Sequence, residues 1–207
     1  MIRFLTLAIL MAVSVLPARS AEVYFVALAE IHPQGQAQYD EFLSKVAPIW
    51  QRHGMSLVRR YQTVEAIADD TNTRPPDEIA LIAVASRKQF QNYLRDEDYL
   101  AIKQLRIEAT SRFTVIEADL RDSAFLAYLG QNPMACLKFQ SRVTTAHAGQ
   151  SVFDVTLVGN VKGPPPTYLP AVKSISVQPV SFDDNPMDFA ADGGRLLSVI
   201  ARAVPVK

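Results

Sequence analysis

The segment "EVYFVALAEIHPQGQAQYDEFLSKVAPIWQRHG" (residues 22–54) decides the fold of the first half of the chain. Residues 22–31 are rich in β-branched and aromatic side chains, which predicts a short strand buried on both faces. Between Tyr39 and His53, apolar residues recur at the i, i+3, i+4 and i+7 spacing of one helical face. Gly54 follows where a helix commonly ends in a left-handed residue. The segment therefore predicts a buried strand followed by an amphipathic helix.

Residues 55–120 complete the pattern of the first unit. The segment 55–67 alternates like a strand and is expected to place Leu57, Arg59 and Tyr61 on one face. A polar loop with two prolines follows over 68–78, and "IALIAVA" (79–85) predicts a second buried strand. "SRKQ" (86–89) has the pattern of a capping box.

A short helix to about Arg95, a second helix through "DEDYLAIKQLR" (96–106) and a strand over 112–120 close the unit. The order strand, helix, strand, strand, helix, strand predicts the split βαβ, or ferredoxin-like, α+β fold. In that fold the sheet carries its helices on one face, so the other face needs a cover.

Residues 22–120 resemble the dimeric α/β-barrel superfamily, in particular its small, uncharacterised bacterial branch of unknown function. The similar elements are "VYFVALAEI", "YDEFLSKVAPIWQRHG", "LVRRYQTVEAI" and "YLAIKQLRIEATSRFTVIEADL". In two places this sequence departs from the family pattern. His32 stands where an acidic residue often precedes the proline, and the usual glycine pair is reduced to Gly54-Met55. The resemblance implies a homodimer in which two sheets pack face to face. It leaves function open, because the superfamily includes cofactor-free monooxygenases, haem-degrading enzymes, isomerases and members without known activity.

The N-terminal residues 1–20 have the pattern of a cleaved secretory signal. Arg3 is followed by an apolar run of about a dozen residues, and Ala18 and Ser20 place small residues before a cut. That run is short for a membrane span, which takes about 20 residues. We therefore expect a periplasmic or secreted protein that starts at Ala21 and keeps no stable membrane anchor after cleavage.

Charge and cysteine content narrow the functional classes. The chain has 21 basic and 21 acidic residues, and removing Arg3 and Arg19 with the signal leaves 19 against 21, a formal charge of −2. A near-neutral balance argues against a nucleic-acid surface, which shows a clustered basic excess. The single cysteine, Cys136, allows no internal disulfide and is expected to be a buried apolar residue.

Tyr99 and Arg106 are candidate ligand-binding residues because they lie two helical turns apart on one side of the predicted helix. They fall on the flank of the apolar side formed by Ile102, Leu105 and Ala109, which should meet the sheet. Both side chains have an apolar body and a polar end. Two interpretations remain open: the polar ends face a cleft, or Arg106 pairs with an acidic residue and Tyr99 simply packs.

The second strand is expected to bring Arg59 or Arg60, together with Tyr61, to the same cleft. In that hypothesis Arg59 and Arg106 hold an anionic group, while Tyr61 and Tyr99 supply hydrogen bonds and ring contact. The predicted ligand is a small anionic or phenolic organic molecule.

His32 lies at the predicted strand-to-helix junction and is a candidate general base, with helix capping as the alternative. The three histidines, at 32, 53 and 147, show no metal-ligand spacing, so neither a metal site nor a cofactor is expected. Trp50 and His53 share the core face of the first helix, where packing is the simpler role.

Residues 121–207 are predicted to be a small antiparallel β-rich region rather than a second copy of the first unit. Strands are expected over 135–145, 152–163, 172–182 and 195–206, and no amphipathic helix is evident. Residues 123–133 could form a short helix or a connector, and "PPPTYLP" (164–170) a stiff connector.

Three functions remain open: binding of a small molecule, cofactor-free oxygenase or isomerase chemistry with His32 as proton-transfer residue, and a non-catalytic interaction module that uses the β-rich region.

Overall fold

The structure, a computed structural model, describes residues 23–69, 74–119, 134–140, 153–161, 174–179 and 195–204. In chain order the elements are β1 (Val23–Ile31), α1 (Gln36–Arg52), β2 (Met55–Asp69), β3 (Glu78–Val84), α2 (Arg87–Leu94), α3 (Glu97–Ala109), β4 (Thr110–Asp119), β5 (Met134–Gln140), β6 (Phe153–Val161), β7 (Ser174–Pro179) and β8 (Arg195–Val204). In these ranges, no helix is long and apolar enough to cross a membrane. The predicted signal (1–20) and the connectors over 123–133 and 164–170 lie outside the described residues.

The first half of the chain has the predicted α+β ferredoxin-like order. Its four strands are antiparallel and lie side by side as β4-β1-β3-β2. The ends of α1 and α2 follow local sequence rules. Gly54, after α1, has a φ of 61°, and the Ser86 side chain accepts the N–H of Gln89 at the start of α2. Pro48 lies within α1, which continues to Arg52.

The core of the first half lies between the sheet and the three helices. Alternate residues of β1 point into it, among them Phe25, Ala27 and Ala29, because successive strand side chains point to opposite faces. We call the sheet surface that meets the helices the helix face. The opposite surface, the barrel face, carries buried residues such as Leu28 and Ile116.

The second half corrects one expectation. Strands lie within each of the four ranges predicted for them except that β5 begins one residue earlier, at Met134. Their spatial order is β8-β5-β7-β6. Counted within this half, that is the fourth, first, third and second strand. The strands of the first half, β4-β1-β3-β2, lie in the same order. At the level of strands, the second half therefore repeats the first, although we expected no second copy. The domain boundary after residue 120 stays a prediction.

The two halves close one barrel of eight strands within a single chain. The outer strand β2 pairs with β8, and the outer strand β4 pairs with β6, both antiparallel. The second half therefore covers the barrel face of the first half, which in the sequence-based hypothesis was the role of a partner subunit. Cys136, on β5, is fully buried as predicted.

Candidate functional site

Arg106 is the charged residue that α3 buries against the sheet. The buried residues of this helix are Tyr99, Arg106 and Ala109, so the tyrosine and the arginine lie at the centre of the buried face and not on its flank as predicted. Only 9% of Arg106 is exposed, and its guanidinium carbon lies 4.1 Å from the ring centre of Phe113 on β4. Its Nε has no hydrogen-bond partner. Among the described residues, no carboxylate pairs with Arg106.

A β-bulge in β2 separates the other predicted residues from Arg106. The register shifts between Leu57, opposite Ile82, and Arg59, opposite Leu81. Because a bulge inserts one extra residue, the simple alternation that predicted one face for Leu57 and Arg59 fails there. The structure therefore does not bring Arg59 and Tyr61 to Arg106.

Arg59 and Tyr61 lie on the barrel face instead, opposite Leu81 and Ile79. Their side chains contact each other, with the guanidinium carbon 5.8 Å from the Tyr61 ring centre. Burial raises the pKa of Tyr61. Arg60, opposite Ala80, takes the position on the helix face that was predicted for Arg59 or Arg60.

Glu78 is the centre of a buried polar cluster on the helix face. Its carboxylate lies 2.5 Å from Nη2 of Arg60 and accepts the hydroxyl of Tyr39 at 3.3 Å. Burial is the main cause that raises the pKa of Glu78 above its ordinary value, against the opposing effects of Arg60 and Tyr39. Burial, and then the Glu78 charge, raise the pKa of Tyr39 well above its usual range.

Small side chains separate this cluster from Arg106. Across the sheet, Ala29 on β1 lies directly between Glu78 on β3 and Phe113 on β4. Directly opposite residues of adjacent strands share a face, so these three form one row beneath the helices. In the next row, two further alanines lie between Arg60 and Val115. We call the three alanines of the two rows the alanine floor: Ala27, Ala29 and Ala80.

Aromatic side chains from the helices complete the surroundings. The rings of Tyr93 on α2 and Tyr99 on α3 lie 4.3 Å apart between centres. Burial raises the pKa of Tyr93. The indole N–H of Trp50 contacts the Tyr93 phenol only outside normal hydrogen-bond geometry. Among the described residues, the fully buried side-chain polar atoms without a hydrogen-bond partner on this face are N–H donors: Trp50 Nε1, Arg60 Nε and Arg106 Nε.

The two histidines of the first half have different surroundings. His32 is exposed in the turn after β1, where its backbone N–H binds the carbonyl of Ala109 at 2.9 Å. His53 follows α1 and lies 2.7 Å from Asp96, the residue that caps α3. Asp96 also accepts hydrogen bonds from the guanidinium of Arg52, so one carboxylate joins the end of α1 to the start of α3. In the described ranges, no three His, Cys, Asp or Glu side chains are grouped as metal ligands would be.

Sequence reasoning missed Glu78 and the hydroxyl of Tyr39. Tyr39 was assigned to the core face of the first helix, which is correct for its ring. Glu78 was taken as the last residue of a polar loop. A signal existed, since Glu78 immediately precedes the apolar run 79–85, and a carboxylate at the start of a buried strand needs a partner.

The comparisons with known proteins agree with this architecture. Residues 22–119 match a family model described as a domain of unknown function, DUF1330. This match agrees, for the first half, with the predicted resemblance to a family of unknown function. No curated protein is a match by sequence.

Solved structures extend the likeness in fold. A structure of an anthrone oxidase-like protein covers 90% of this chain and 92% of its own, with a TM-score of 0.55 and 12% identity. A protein of unknown function from Rhodopseudomonas palustris covers 48% of this chain and 82% of its own, with a TM-score of 0.43 and 18% identity. At such identities the first of these shows a shared fold and nothing about activity, and it spans both halves of the chain.

Proposed function

We propose that this protein binds a small organic anion between its sheet and α3, with the guanidinium of Arg106 as the anchor. One observation carries the proposal: Arg106 is 91% buried, since 9% of it is exposed, and no carboxylate among the described residues pairs with it. Tyr99 lies beside it on the same helix. Arg60, rather than Arg59, is the second basic residue on this face.

A buried cation without an ionic partner is costly, because burial removes the water that solvates its charge. The face of Phe113 offsets part of that cost through a cation–π contact worth about 0.5–2 kcal/mol. A bound carboxylate or phenolate would supply the missing charge and accept hydrogen bonds from the guanidinium. The unpartnered donors on the same face favour a ligand rich in acceptor atoms.

We also propose export to the periplasm or the medium, on the pattern of residues 1–20. We also propose a homodimer, and its contact would have to use the outer surface of the barrel. Both edges of the β4-β1-β3-β2 sheet are already paired with β6 and β8 of the same chain. A partner would therefore find no free edge strand of that sheet to pair with.

A second candidate is cofactor-free oxygenase or isomerase chemistry. The observation that favours it is Glu78, a buried carboxyl on the helix face whose pKa is raised above its ordinary value by burial, the direction of shift found in many carboxyls that transfer protons. His32, the base suggested by the sequence, is exposed. Dioxygen uptake with added phenols would separate the two bases. His32→Ala should abolish uptake if the histidine transfers the proton, and Glu78→Gln should do so if the carboxyl does.

Calorimetric titration with benzoate tests the binding proposal. Arg106→Lys keeps the charge but loses the fork that binds a carboxylate with two parallel hydrogen bonds, so the Kd should rise about tenfold or more. The matched control is Arg95→Lys, because Arg95 is exposed at the end of α2. Equal affinities in the wild type and Arg106→Lys, with both proteins folded by thermal melting, would contradict the proposal.

A further inference from the structure

Two groups of opposite charge, Glu78 and the guanidinium of Arg106, lie at opposite ends of the row that contains Ala29. Glu78 and Phe113 are separated by one strand, β1, and the guanidinium of Arg106 lies over Phe113. Neighbouring strands are about 4.8 Å apart, so the backbones of these two positions are roughly 10 Å apart. Between them the sheet presents only the methyl group of Ala29. This spacing is close to the length of one substituted aromatic ring with a polar group at each end.

Glu78 keeps capacity to accept a further hydrogen bond. An ionised carboxylate offers about four lone-pair sites, and Arg60 and Tyr39 account for two of them. The Tyr39 contact shows that Glu78 already accepts a phenol hydroxyl, at the long distance of 3.3 Å. Only 4% of Glu78 is exposed. On the described part of the helix face, it is the buried carboxylate available to a ligand.

Tyr39 shows that the two charges act on one region. The charges of Glu78, Arg60 and Arg106 all influence the pKa of its phenol, so its hydroxyl lies within electrostatic reach of both ends. Tyr39 comes from α1, above the sheet, and is itself 97% buried, since 3% of it is exposed. A ligand between the two ends would therefore contact this ring, which favours a flat aromatic body.

We propose that the ligand is a hydroxyaryl carboxylate, whose carboxylate binds Arg106, whose ring lies above the alanine floor and whose hydroxyl donates to Glu78. This inference rests on the proposed function, since it uses the same anchor. It adds a requirement for a donor at the far end of the molecule. Glu78 then determines specificity for hydroxylated aryl acids. An aryl acid without the hydroxyl leaves this buried carboxylate without the hydrogen bond from the ligand, so it binds less tightly.

The test compares three probes in calorimetric titrations: benzoate, 4-hydroxybenzoate and 4-methoxybenzoate. The methoxy compound has the same length but no proton to donate. In the wild-type protein, 4-hydroxybenzoate should bind about tenfold more tightly than either of the others, as expected for a hydrogen bond to a charged acceptor. Glu78→Gln should reduce that ratio towards one, because a neutral amide is a weaker acceptor of the phenol hydroxyl than a carboxylate.

Tyr39→Phe is the second variant, because loss of the Glu78 charge could weaken the fold around Arg60. It keeps the ring and frees one site on the Glu78 carboxylate, so the preference for 4-hydroxybenzoate should persist or increase. Loss of the preference in Tyr39→Phe would overturn the inference, since Tyr39 and not Glu78 would then bind the hydroxyl.

The two proposals fail in distinguishable ways. If benzoate binds in an Arg106-dependent manner but the hydroxyl adds no affinity, the hydroxyaryl inference is wrong and the anion site stands. If no aryl acid binds, or if Arg106→Lys has no effect, the anion site itself is wrong.

Discussion

At the scale of single residues, Arg106 is a buried charge that pairs with no carboxylate among the described residues. It is buried, it stacks on Phe113, and its Nε has no hydrogen-bond partner. Arg60, on the same face, differs from Arg106 because it forms an ion pair with Glu78. Most buried arginines in proteins are paired in this way. The contrast between Arg60 and Arg106 is the basis of the proposed anion site.

Asp96 provides a residue-scale prediction about pH. Its pKa is held well below the usual range, first by the hydrogen bond from His53 and then by Arg52. The folded state therefore resists protonation more than the unfolded chain does, and the stabilisation is complete above the unfolded pKa of about 3.9. The free energy of unfolding should fall as the pH drops below about 4, because the unfolded chain binds the proton first.

Urea denaturation between pH 5 and pH 2 measures this effect. Asp96→Asn should show a shallower fall over that range, because asparagine still caps α3 but has no carboxylate to protonate. Asp98→Asn is the matched control, since Asp98 also receives Arg52 but is exposed and caps nothing. A slope that Asp98→Asn changes as much as Asp96→Asn does would show that Arg52, and not the His53–Asp96 contact, is responsible.

At the scale of elements, periodicity predicted most of the first half correctly. The apolar spacing gave α1 and the buried runs gave β1 and β3, because each pattern depends only on neighbouring residues. The bulge in β2 has no such local pattern, so Arg59 and Tyr61 were expected on the face that Arg60 occupies. For α3, the buried side was predicted from the apolar residues Ile102 and Leu105. In the structure these two are only partly buried, whereas Tyr99 and Arg106 are buried. Tyr99 and Arg106, both named from the sequence, lie together on the buried face of α3, and their role in ligand binding stays a prediction. The sheet residues around them were not predicted.

Gly54 gives a prediction at this scale, because it ends α1 with a φ of 61°. An alanine in this left-handed conformation costs about 1–2 kcal/mol, since its Cβ approaches the following carbonyl. Gly54→Ala should therefore lower the free energy of unfolding by about that amount in urea denaturation. Gly54→Asn is the control and should lose less, because asparagine adopts this conformation more readily. Equal stability of the wild type and Gly54→Ala would contradict the assigned conformation.

At the scale of the whole molecule, strand identity was predictable and strand partnership was not. Alternating patterns located β5, β6, β7 and β8, but they contain no information about which strand lies beside which. Pairings such as β2 with β8 join residues far apart in sequence. The repeated strand order is therefore visible only in three dimensions. It explains how one chain closes a barrel of the type that its superfamily resemblance attributes to two.

This closure predicts the behaviour of a fragment that ends after Leu120. Such a fragment would expose the edges of β2 and β4 and the apolar barrel face that includes Leu28 and Ile116. We expect it to associate, with pairs of fragments rebuilding an eight-stranded barrel, and light scattering after size exclusion should give twice the fragment mass. Aggregation of the fragment would also agree with this prediction, because unpaired edge strands associate. A folded, monomeric fragment would contradict the role assigned to the second half.

The most direct test of the anion site is an NMR titration that follows the side-chain Nε–H signals of arginine while benzoate is added. We expect a saturable shift of the Arg106 signal, because its Nε–H has no hydrogen-bond partner in the free protein. Arg106→Lys, which removes that signal, provides the assignment. Shifts confined to Arg59 on the barrel face, or no shift at benzoate concentrations that saturate binding, would contradict a site between the sheet and α3.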